Sequence, residues 1–401
     1  MNTSRAHEEF TKTWLAHVRR AGQAILFTTF PAAAAAGGLA LAPFLGLAGA
    51  ACVRPAPVLR AVRFANPVGA LILLLICWFV ASSLWSPVED KSQAVRLMAT
   101  ALPGLLLAAE AGADASTRRW FRIGFAAAIA MLCVLLGLEA LSNMALNRIA
   151  SPDAADWEIA RNPGRGASVL VTCGWGVAGA LFAHGSRGAA RLGLALLALM
   201  AGFATQFMQI ANIAAFGAGL VAYLLALLAG RFAVWGVSAL LAAFALGAPA
   251  LLANPRWADL LGAPFPIEVR AQIWAYASEL IGERRWLGHG LDAARLYSKE
   301  VEIGGSVQDL MPLHPHNASL QIWLETGAVG AALAAAVLLV GGWVLAKRMK
   351  TNRHQMAAAC ATLASFGLLA NSTYGAWQEW WIATACIAAA CVASMPSPAK
   401  H

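Results

Sequence analysis

The polar chemistry of this chain is concentrated where Met311-Pro-Leu-His-Pro-His-Asn-Ala-Ser-Leu-Gln-Ile-Trp-Leu-Glu-Thr-Gly-Ala-Val-Gly330 leads into a long apolar run. Proline suits the first turn of a helix, where its missing N–H has no partner anyway, so Pro315 predicts that a helix begins there. His316 then lies at the mouth of an apolar helix, and Gly327 and Gly330 allow a neighbouring backbone to come close. At helical spacing one polar stripe follows, formed by Asn317, Gln321 and Glu325.

The composition of the whole chain predicts a membrane protein. Of its 401 residues, 60% are hydrophobic and 12% are charged, and the mean hydropathy is +0.64. The formal net charge of +9 indicates membrane orientation rather than nucleic-acid binding, because the basic residues occur in short loops between apolar runs. The seven cysteines fall in apolar stretches without Cys-x-x-Cys spacing, so core packing is expected and disulfides or a metal site are not.

Apolar runs of about 20 residues, the length that crosses hydrocarbon, predict an all-α fold with about twelve transmembrane helices. The predicted segments are 22–36, 37–53, 67–85, 94–110, 120–141, 166–185, 190–206, 209–229, 232–253, 319–346, 355–373 and 377–396. The first two are short and rich in Ala and Gly, so one broken span is an alternative that would reverse the orientation of everything after it.

Charge predicts the sidedness, since short cytoplasmic loops collect Lys and Arg. With twelve spans, every short loop on one side is basic, and these loops contain Arg54, Arg60, Arg63, Arg118, Arg119, Arg187, Arg191, Arg231, Lys347, Arg348, Lys350 and Arg353. The predicted organisation is a cytoplasmic segment at 1–20, nine transmembrane helices in 21–253, an extracytoplasmic loop at 254–318, three transmembrane helices in 319–396 and a cytoplasmic tail at 397–401.

The long loop at 254–318 contains one predicted amphipathic helix, from Ile267 to Ile281. Its apolar stripe consists of Val269, Ile273, Tyr276 and Leu280. The helix is too charged to span the membrane, so we expect it to lie on the outer membrane surface and to end at Gly288-His289-Gly290. Arg270 and Trp274 share a neighbouring stripe. A guanidinium there suits phosphate oxygens, whereas attraction to lipid headgroups is the alternative.

Three interpretations are open for His316: a general base, a metal ligand, or a residue that caps the helix. Because no carboxylate lies at a familiar ligand spacing from His289, His314 or His316, a metal is not expected. The neighbouring Asn317 and Glu325 favour the base, and His314 is predicted to be structural. In the loop at 142–165, the run from Arg161 to Ser168 supplies Arg165 as a second cation on the same membrane face, or as an anchor that reaches the headgroups.

The pattern His316-Asn317-x-x-Leu320-x-x-x-x-Glu325-x-Gly327-x-x-Gly330, behind a loop with Arg270-x-x-x-Trp274 and Gly288-His289-Gly290, resembles the O-antigen ligase and polymerase superfamily. Arg165-Gly166-Ala167-Ser168 is similar to an Arg-containing entry to a span in the ligases. One departure is that relatives often carry a Ser-Arg pair at the position of 205–213, where this chain has Thr205, Gln206, Gln209 and Asn212. One phosphate contact is thereby unassigned.

The resemblance implies transfer of a glycan from undecaprenyl diphosphate to lipid A-core, without a cofactor, at the periplasmic face of a bacterial inner membrane. It implies that His316 deprotonates the acceptor hydroxyl and that Arg270 and Arg165 hold the diphosphate, with inversion at the anomeric carbon. Asn317, Glu325, Trp274, Arg161, His289 and His314 form the supporting set, although whether either of those histidines enters the site stays open. Alternatives within the superfamily are an O-antigen polymerase and a protein O-oligosaccharyltransferase.

A lipid-linked glycan flippase or transporter is the alternative from a different class. Such a protein needs a polar or charged route through the bilayer. The predicted spans contain almost no Asp, Glu, Lys or Arg, which favours the enzyme.

Overall fold

The computed structural model describes residues 3–52, 67–207, 209–260, 262–348 and 352–396. Within these ranges the chain is nearly all helical. The helices are α1 (Thr3–Ala35), α2 (Leu41–Ala50), α3 (Pro67–Ser82), α4 (Ser92–Ala111), α5 (Ala115–Leu141), α6 (Ala145–Ala150), α7 (Asp156–Ala183), α8 (Arg187–Gln206), α9 (Ile210–Ala229), α10 (Arg231–Leu252), α11 (Arg256–Leu260), α12 (Phe265–Glu283), α13 (Ala318–Arg348), α14 (Arg353–Ser372) and α15 (Glu379–Ala393). The basic loop at 54–63, Lys350 and the predicted tail at 397–401 lie outside the described residues.

Seven of these helices are long and apolar enough to cross a membrane, namely α4, α5, α7, α8, α9, α10 and α13. Three shorter helices, α2, α3 and α15, are also apolar. The chain is therefore consistent with a polytopic membrane protein. The count of twelve crossings and the extracytoplasmic position of the loop at 254–318 stay predictions.

Helix α7 is the centre of the helical bundle. Inside its apolar window 78% of the residues are buried, against at most 39% in the other candidate spans. Small residues make this possible. A Cβ added at Gly176 would lie 2.8 Å from the Cβ of Cys391, so α15 packs almost against the α7 backbone. Because α7 is enclosed, residues in its first turns are held in place by surrounding helices.

Helix α7 begins earlier than the predicted segment 166–185. The predicted loop at 142–165 is partly helical, because α6 occupies Ala145–Ala150 and α7 begins at Asp156. Asp156 and Glu158 stand in the first turn, where carboxylates favour a helix N-terminus. The Glu158 side chain also accepts from the backbone N–H of Ala155 at 3.4 Å. The helix therefore starts upstream of Pro163 rather than after it.

The loop at 254–318 forms a small layer over one end of the bundle. Its amphipathic helix is confirmed as α12, which ends at Glu283, before the predicted Gly-His-Gly stop. Ile273 and Leu280 are buried against α10, α13 and neighbouring parts of the loop. The helix was predicted to lie on the membrane surface. Its apolar stripe is instead covered by protein, because it packs into a smaller hydrophobic core that α12 shares with α10, α13 and the loop.

The sequence analysis missed a β-hairpin in this layer. β1 (Glu300–Ile303) pairs antiparallel with β2 (Ser306–Asp309), and Gly304 and Gly305 form the turn with φ of 55° and 80°. A Gly-Gly pair between alternating residues is a known hairpin signal that could have predicted it. The all-α prediction is correct except at this hairpin.

Candidate active site

The helix that carries the polar stripe begins later than the sequence predicts. α13 starts at Ala318, and the side-chain oxygen of Asn317 accepts from the backbone N–H of Leu320 at 3.0 Å, as a capping residue does. His316 has a φ of 53°, in the left-handed region. Because a right-handed helix cannot pass through that conformation, the prediction that Pro315 opens the helix is wrong. His316 instead lies on a sharp turn immediately before α13, a helix that is itself kinked at Gly327, where φ is 66° and ψ is −169°.

The imidazole of His316 is held in one tautomer. Its Nδ1 lies 2.9 Å from the backbone oxygen of Thr373, and since a carbonyl only accepts, Nδ1 carries the proton. Nε2 keeps its lone pair and has no hydrogen-bond partner in the described part of the chain. Burial, assisted by the charge of Arg270, lowers the pKa of His316 against the opposing effect of the Thr373 bond. The ring is therefore neutral near pH 7, as a general base requires.

Two groups of the predicted site bind to one short turn that the sequence analysis did not single out. We call residues 372–378, where α14 ends and α15 is about to begin, the α14–α15 turn. Nη1 of Arg270 donates to the backbone oxygen of Ser372, and Nδ1 of His316 donates to that of Thr373. Successive carbonyls of the turn thus hold a guanidinium and an imidazole next to each other.

Two arginines from different helices act on this turn. Arg270 reaches it from α12, and burial lowers the pKa of its guanidinium. Arg165 comes from α7, with its Cζ 5.4 Å from the ring centroid of Trp380. Both charges act on Tyr374, and Arg165 also acts on His314. Among the described residues neither arginine pairs with a carboxylate, so the arrangement favours an anion from outside.

A buried polar network fixes Tyr374 beside these arginines. Its hydroxyl lies 2.6 Å from Oγ of Ser168 and donates to Oε1 of Gln209 at 3.2 Å. Ser168 donates to Oδ1 of Asn212 at 2.6 Å, and Nδ2 of Asn212 donates to the backbone oxygen of Gly164 at 3.0 Å. Burial raises the pKa of Tyr374 to about 12, so its hydroxyl stays protonated. The residues that stand where relatives carry a Ser-Arg pair therefore hold a tyrosine instead of presenting a cation.

Glu325 connects α13 to the overlying layer. Its side chain is fully buried and accepts from Nε2 of Gln321 at 3.0 Å and from Nε1 of Trp377 at 2.5 Å. It also accepts from the backbone N–H of Ala294 at 3.4 Å and from that of Asp292. Four donors converge on one carboxyl group. Glu325 thus joins the helix, the outer loop and the α14–α15 turn without contacting His316.

His314 contacts both the backbone and the ring of His316. Its Nδ1 accepts from the backbone N–H of His316 at 3.1 Å, and the two rings meet edge to face with centroids 4.6 Å apart. Burial lowers the pKa of His314 to about 3, and the charges of His316 and Arg165 act in the same direction. It is neutral at physiological pH and holds the backbone of the His316 turn.

Two other predicted residues lie in the overlying layer. Nε1 of Trp274 donates to the backbone oxygen of Pro315 at 3.0 Å and so supports the His316 turn from α12. His289 uses both ring nitrogens elsewhere. Its Nε2 donates to the backbone oxygen of Leu280 at 2.9 Å, and its Nδ1 accepts from the hydroxyl of Tyr297 at 2.5 Å. The structure therefore does not bring His289 to His316.

Arg161 and Arg165 lie one turn apart in α7, not in a loop as predicted. Arg161 is exposed, with its Cζ 5.6 Å from the ring centroid of Trp157. Its charge acts on Arg165, so it adds to the positive potential at the edge of the site. In the described ranges no group of three or more His, Cys, Asp or Glu side chains gathers in a way that could hold a metal ion.

Comparison with known proteins extends this description. Residues 173–335 match the sequence model of a family described as O-antigen ligase. This stretch includes Arg270, His316, Asn317 and Glu325, and it leaves Arg165 outside.

Three rickettsial proteins that are named as candidate polysaccharide ligases are similar to part of the chain. Those of Rickettsia conorii and Rickettsia bellii are 30% and 29% identical over 119 residues, and that of Rickettsia prowazekii is 32% identical over 122 residues. These segments cover 28–29% of this chain and 28–29% of each relative. The chain thus spans under a third of the length of these relatives.

Proposed function

We propose that the chain, which matches the O-antigen ligase family model over residues 173–335, is a glycosyltransferase that uses a lipid-diphosphate donor. The donor is a glycan on undecaprenyl diphosphate, and the acceptor is a sugar hydroxyl of lipid A-core at the periplasmic face of the inner membrane. The observation that carries the proposal is the position of a neutral His316, with a free Nε2, beside the Arg270 guanidinium on the α14–α15 turn. The charge of Arg165 acts on the neighbouring Tyr374 and His314, and neither guanidinium has a carboxylate partner among the described residues.

His316 serves as the base in this proposal. As the acceptor oxygen attacks the anomeric carbon, its O–H bond breaks and the proton passes to Nε2. The Thr373 carbonyl, which binds Nδ1–H at 2.9 Å, then stabilises the imidazolium that forms. Asn317 and His314 keep the ring in position by capping α13 and by accepting the His316 N–H. Positioning of this kind accounts for a large part of the rate of a two-substrate reaction.

Arg270 and Arg165 stabilise the leaving group. The bond between the anomeric carbon and the diphosphate oxygen breaks as the new glycosidic bond forms, and the electron pair leaves with the diphosphate. Fixed guanidinium groups stabilise this developing charge more effectively than water does, because they need no reorganisation. The acceptor and the diphosphate lie on opposite faces of the sugar, so the single displacement inverts the anomeric centre.

Transfer of labelled glycan by the purified protein in nanodiscs tests the proposal. We expect product with lipid A-core, a loss of about a hundredfold or more in His316→Ala, and a loss of similar size in Arg270→Ala. Leu313→Ala is a matched control, because this nearby side chain is 60% exposed and outside the hydrogen-bonded site. Near-normal turnover in a folded His316→Ala variant would refute the base.

The identity of the acceptor is tested separately. With lipid A-core as the only acceptor, product supports a ligase. Product only with a second lipid-linked glycan would indicate a polymerase, and product only with a protein acceptor would indicate a protein O-oligosaccharyltransferase. Movement of the donor across the bilayer without a new glycosidic bond would instead support a flippase.

A further inference from the structure

We propose that a groove between the first turn of α10 and the last turns of α13 binds an anionic phospholipid. This groove lies at the end of α13 opposite to His316, about 40 Å away along the helix. It has a volume of about 230 Å³ and is lined by Arg231, Phe232, Trp235, Trp343, Ala346 and Lys347. Neither the candidate active site nor the family match gives this end of the protein a role.

Small residues on α13 create the groove. A Cβ added at Gly342 would lie 2.3 Å from Oγ of Ser238, so α10 and α13 approach closely there. Ala346, one turn later, keeps the base of the groove low. Three aromatic side chains form its walls and stay exposed: Phe232 (68%), Trp235 (55%) and Trp343 (44%). Exposed rings around an apolar depression favour contact with an acyl chain.

Two cations stand at the mouth of this apolar groove. Cζ of Arg231 lies 5.2 Å from the ring centroid of Phe232, and Nζ of Lys347 lies 3.6 Å from that of Trp343. The sequence of α10 contains no Asp or Glu. In α13 the one acidic residue, Glu325, is near the opposite end. The described salt bridges also leave both cations without a carboxylate. Among the described residues no carboxylate neutralises this pair, so the groove favours an anionic ligand.

The start of α10 adds hydrogen-bond donors to these charges. Gly230 precedes the helix with a φ of 59° and supplies no side-chain cap. The N–H of Ala233 donates to the Gly230 carbonyl at 3.1 Å, which leaves the N–H groups of Arg231 and Phe232 for an anion. A phosphodiester would meet these donors together with Arg231 and Lys347, while its acyl chain covers the aromatic walls. A soluble phosphate would leave the three rings in water, so the groove fits a phospholipid better.

Phosphatidylglycerol and phosphatidylcholine with identical acyl chains are suitable probes. The full-length protein is stripped of lipid in detergent, and the lipid is titrated back while native mass spectrometry counts bound molecules and a thermal melt reports folding. We expect phosphatidylglycerol to bind and to raise the melting midpoint, and phosphatidylcholine to do so far less. Removal of both charges in R231Q/K347Q should weaken phosphatidylglycerol binding about 25-fold, since each basic residue contributes about a factor of five.

R187Q/R191Q is the matched control, because it removes two exposed arginines from the first turns of α8, away from the groove. We expect wild-type affinity in this control, and about a fivefold loss in each of R231Q and K347Q alone. Equal binding of the two lipids to the wild type would overturn the proposal. So would an equal loss of affinity in R187Q/R191Q and R231Q/K347Q, because it would mean that diffuse positive charge, not this groove, attracts the lipid.

Discussion

Replacement of His314 tests whether this residue only positions His316, the proposed base, or takes part in the chemistry itself. The left-handed backbone of His316, with φ of 53°, costs about 1–2 kcal/mol in a residue other than glycine. The bond from its N–H to Nδ1 of His314, at 3.1 Å, offsets about 1 kcal/mol of this. His314→Ala removes the acceptor. Because the His316 N–H is then left without its acceptor, which costs more than the net value of the bond, we expect a loss of about 1–2 kcal/mol in the productive orientation of His316. This corresponds to a turnover about 5- to 30-fold lower.

His314→Asn is the matched variant. An Asn side chain accepts from the backbone N–H two residues later in its own turn, so it replaces Nδ1 of His314 as the acceptor for His316. We expect its turnover to stay within about threefold of the wild type. Both variants are assayed for glycan transfer in nanodiscs, with rates normalised to folded protein. If His314→Asn lost as much activity as His316→Ala, the imidazole of His314 would itself take part in proton transfer, and the positioning role would be refuted.

Three further predictions concern the same end of α13. Glu325→Gln turns an amide NH2 toward a site where four donors converge. We therefore expect the free energy of unfolding to fall by about 1–3 kcal/mol. Thermal melting measures this loss, with the exposed Glu279→Gln variant as the control. Gly327→Ala places a Cβ 2.1 Å from the backbone oxygen of Trp286 at φ of 66°, so little folded protein is expected on size-exclusion chromatography. Burial lowers the pKa of His316, so the transfer rate should be constant from pH 8 to 6.5 and fall only at lower pH, where the imidazole becomes protonated. A transfer rate that already falls between pH 8 and 6.5 would contradict His316 as the base.

Apolar periodicity predicted the approximate position of most described helices, although α1 begins at Thr3, inside the segment predicted to be a polar cytoplasmic stretch, and α2 covers only Leu41–Ala50 of the predicted span 37–53. The errors lie where backbone chemistry decides the boundary. Asp156 starts α7 ahead of Pro163 because acidic residues in the first turn favour the helix. Asn317 caps α13 two residues after Pro315, because the turn at His316 is left-handed. Neither boundary changes the hydrophobic pattern, so periodicity alone could not place it.

The candidate site was predicted in part. His316, Arg270 and Arg165 were identified from residue type and membrane position. The structure binds His316 and Arg270 to one turn and places Arg165 against Trp380, just after that turn. Tyr374 was missed. A signal was nonetheless present, since the polar and aromatic stretch Ser372-Thr-Tyr-Gly-Ala-Trp-Gln378 interrupts two apolar helices. A loop that carries ordered aromatic and amide side chains between membrane helices is a candidate for function.

The rest of the site could not be read from the sequence, because it consists of backbone carbonyls. The oxygens of Ser372 and Thr373 fix Arg270 and His316, and any residue type supplies such an oxygen. The sequence does show where this turn needs a residue without a side chain. A Cβ at Gly375 would lie 2.9 Å from Cδ2 of His314, so a larger residue there would push the α14–α15 turn away from the histidines. The tautomer of the proposed base thus depends on the shape of a turn rather than on a neighbouring carboxylate. Side-chain substitutions at 372 and 373 should therefore disturb it less than changes that move the backbone.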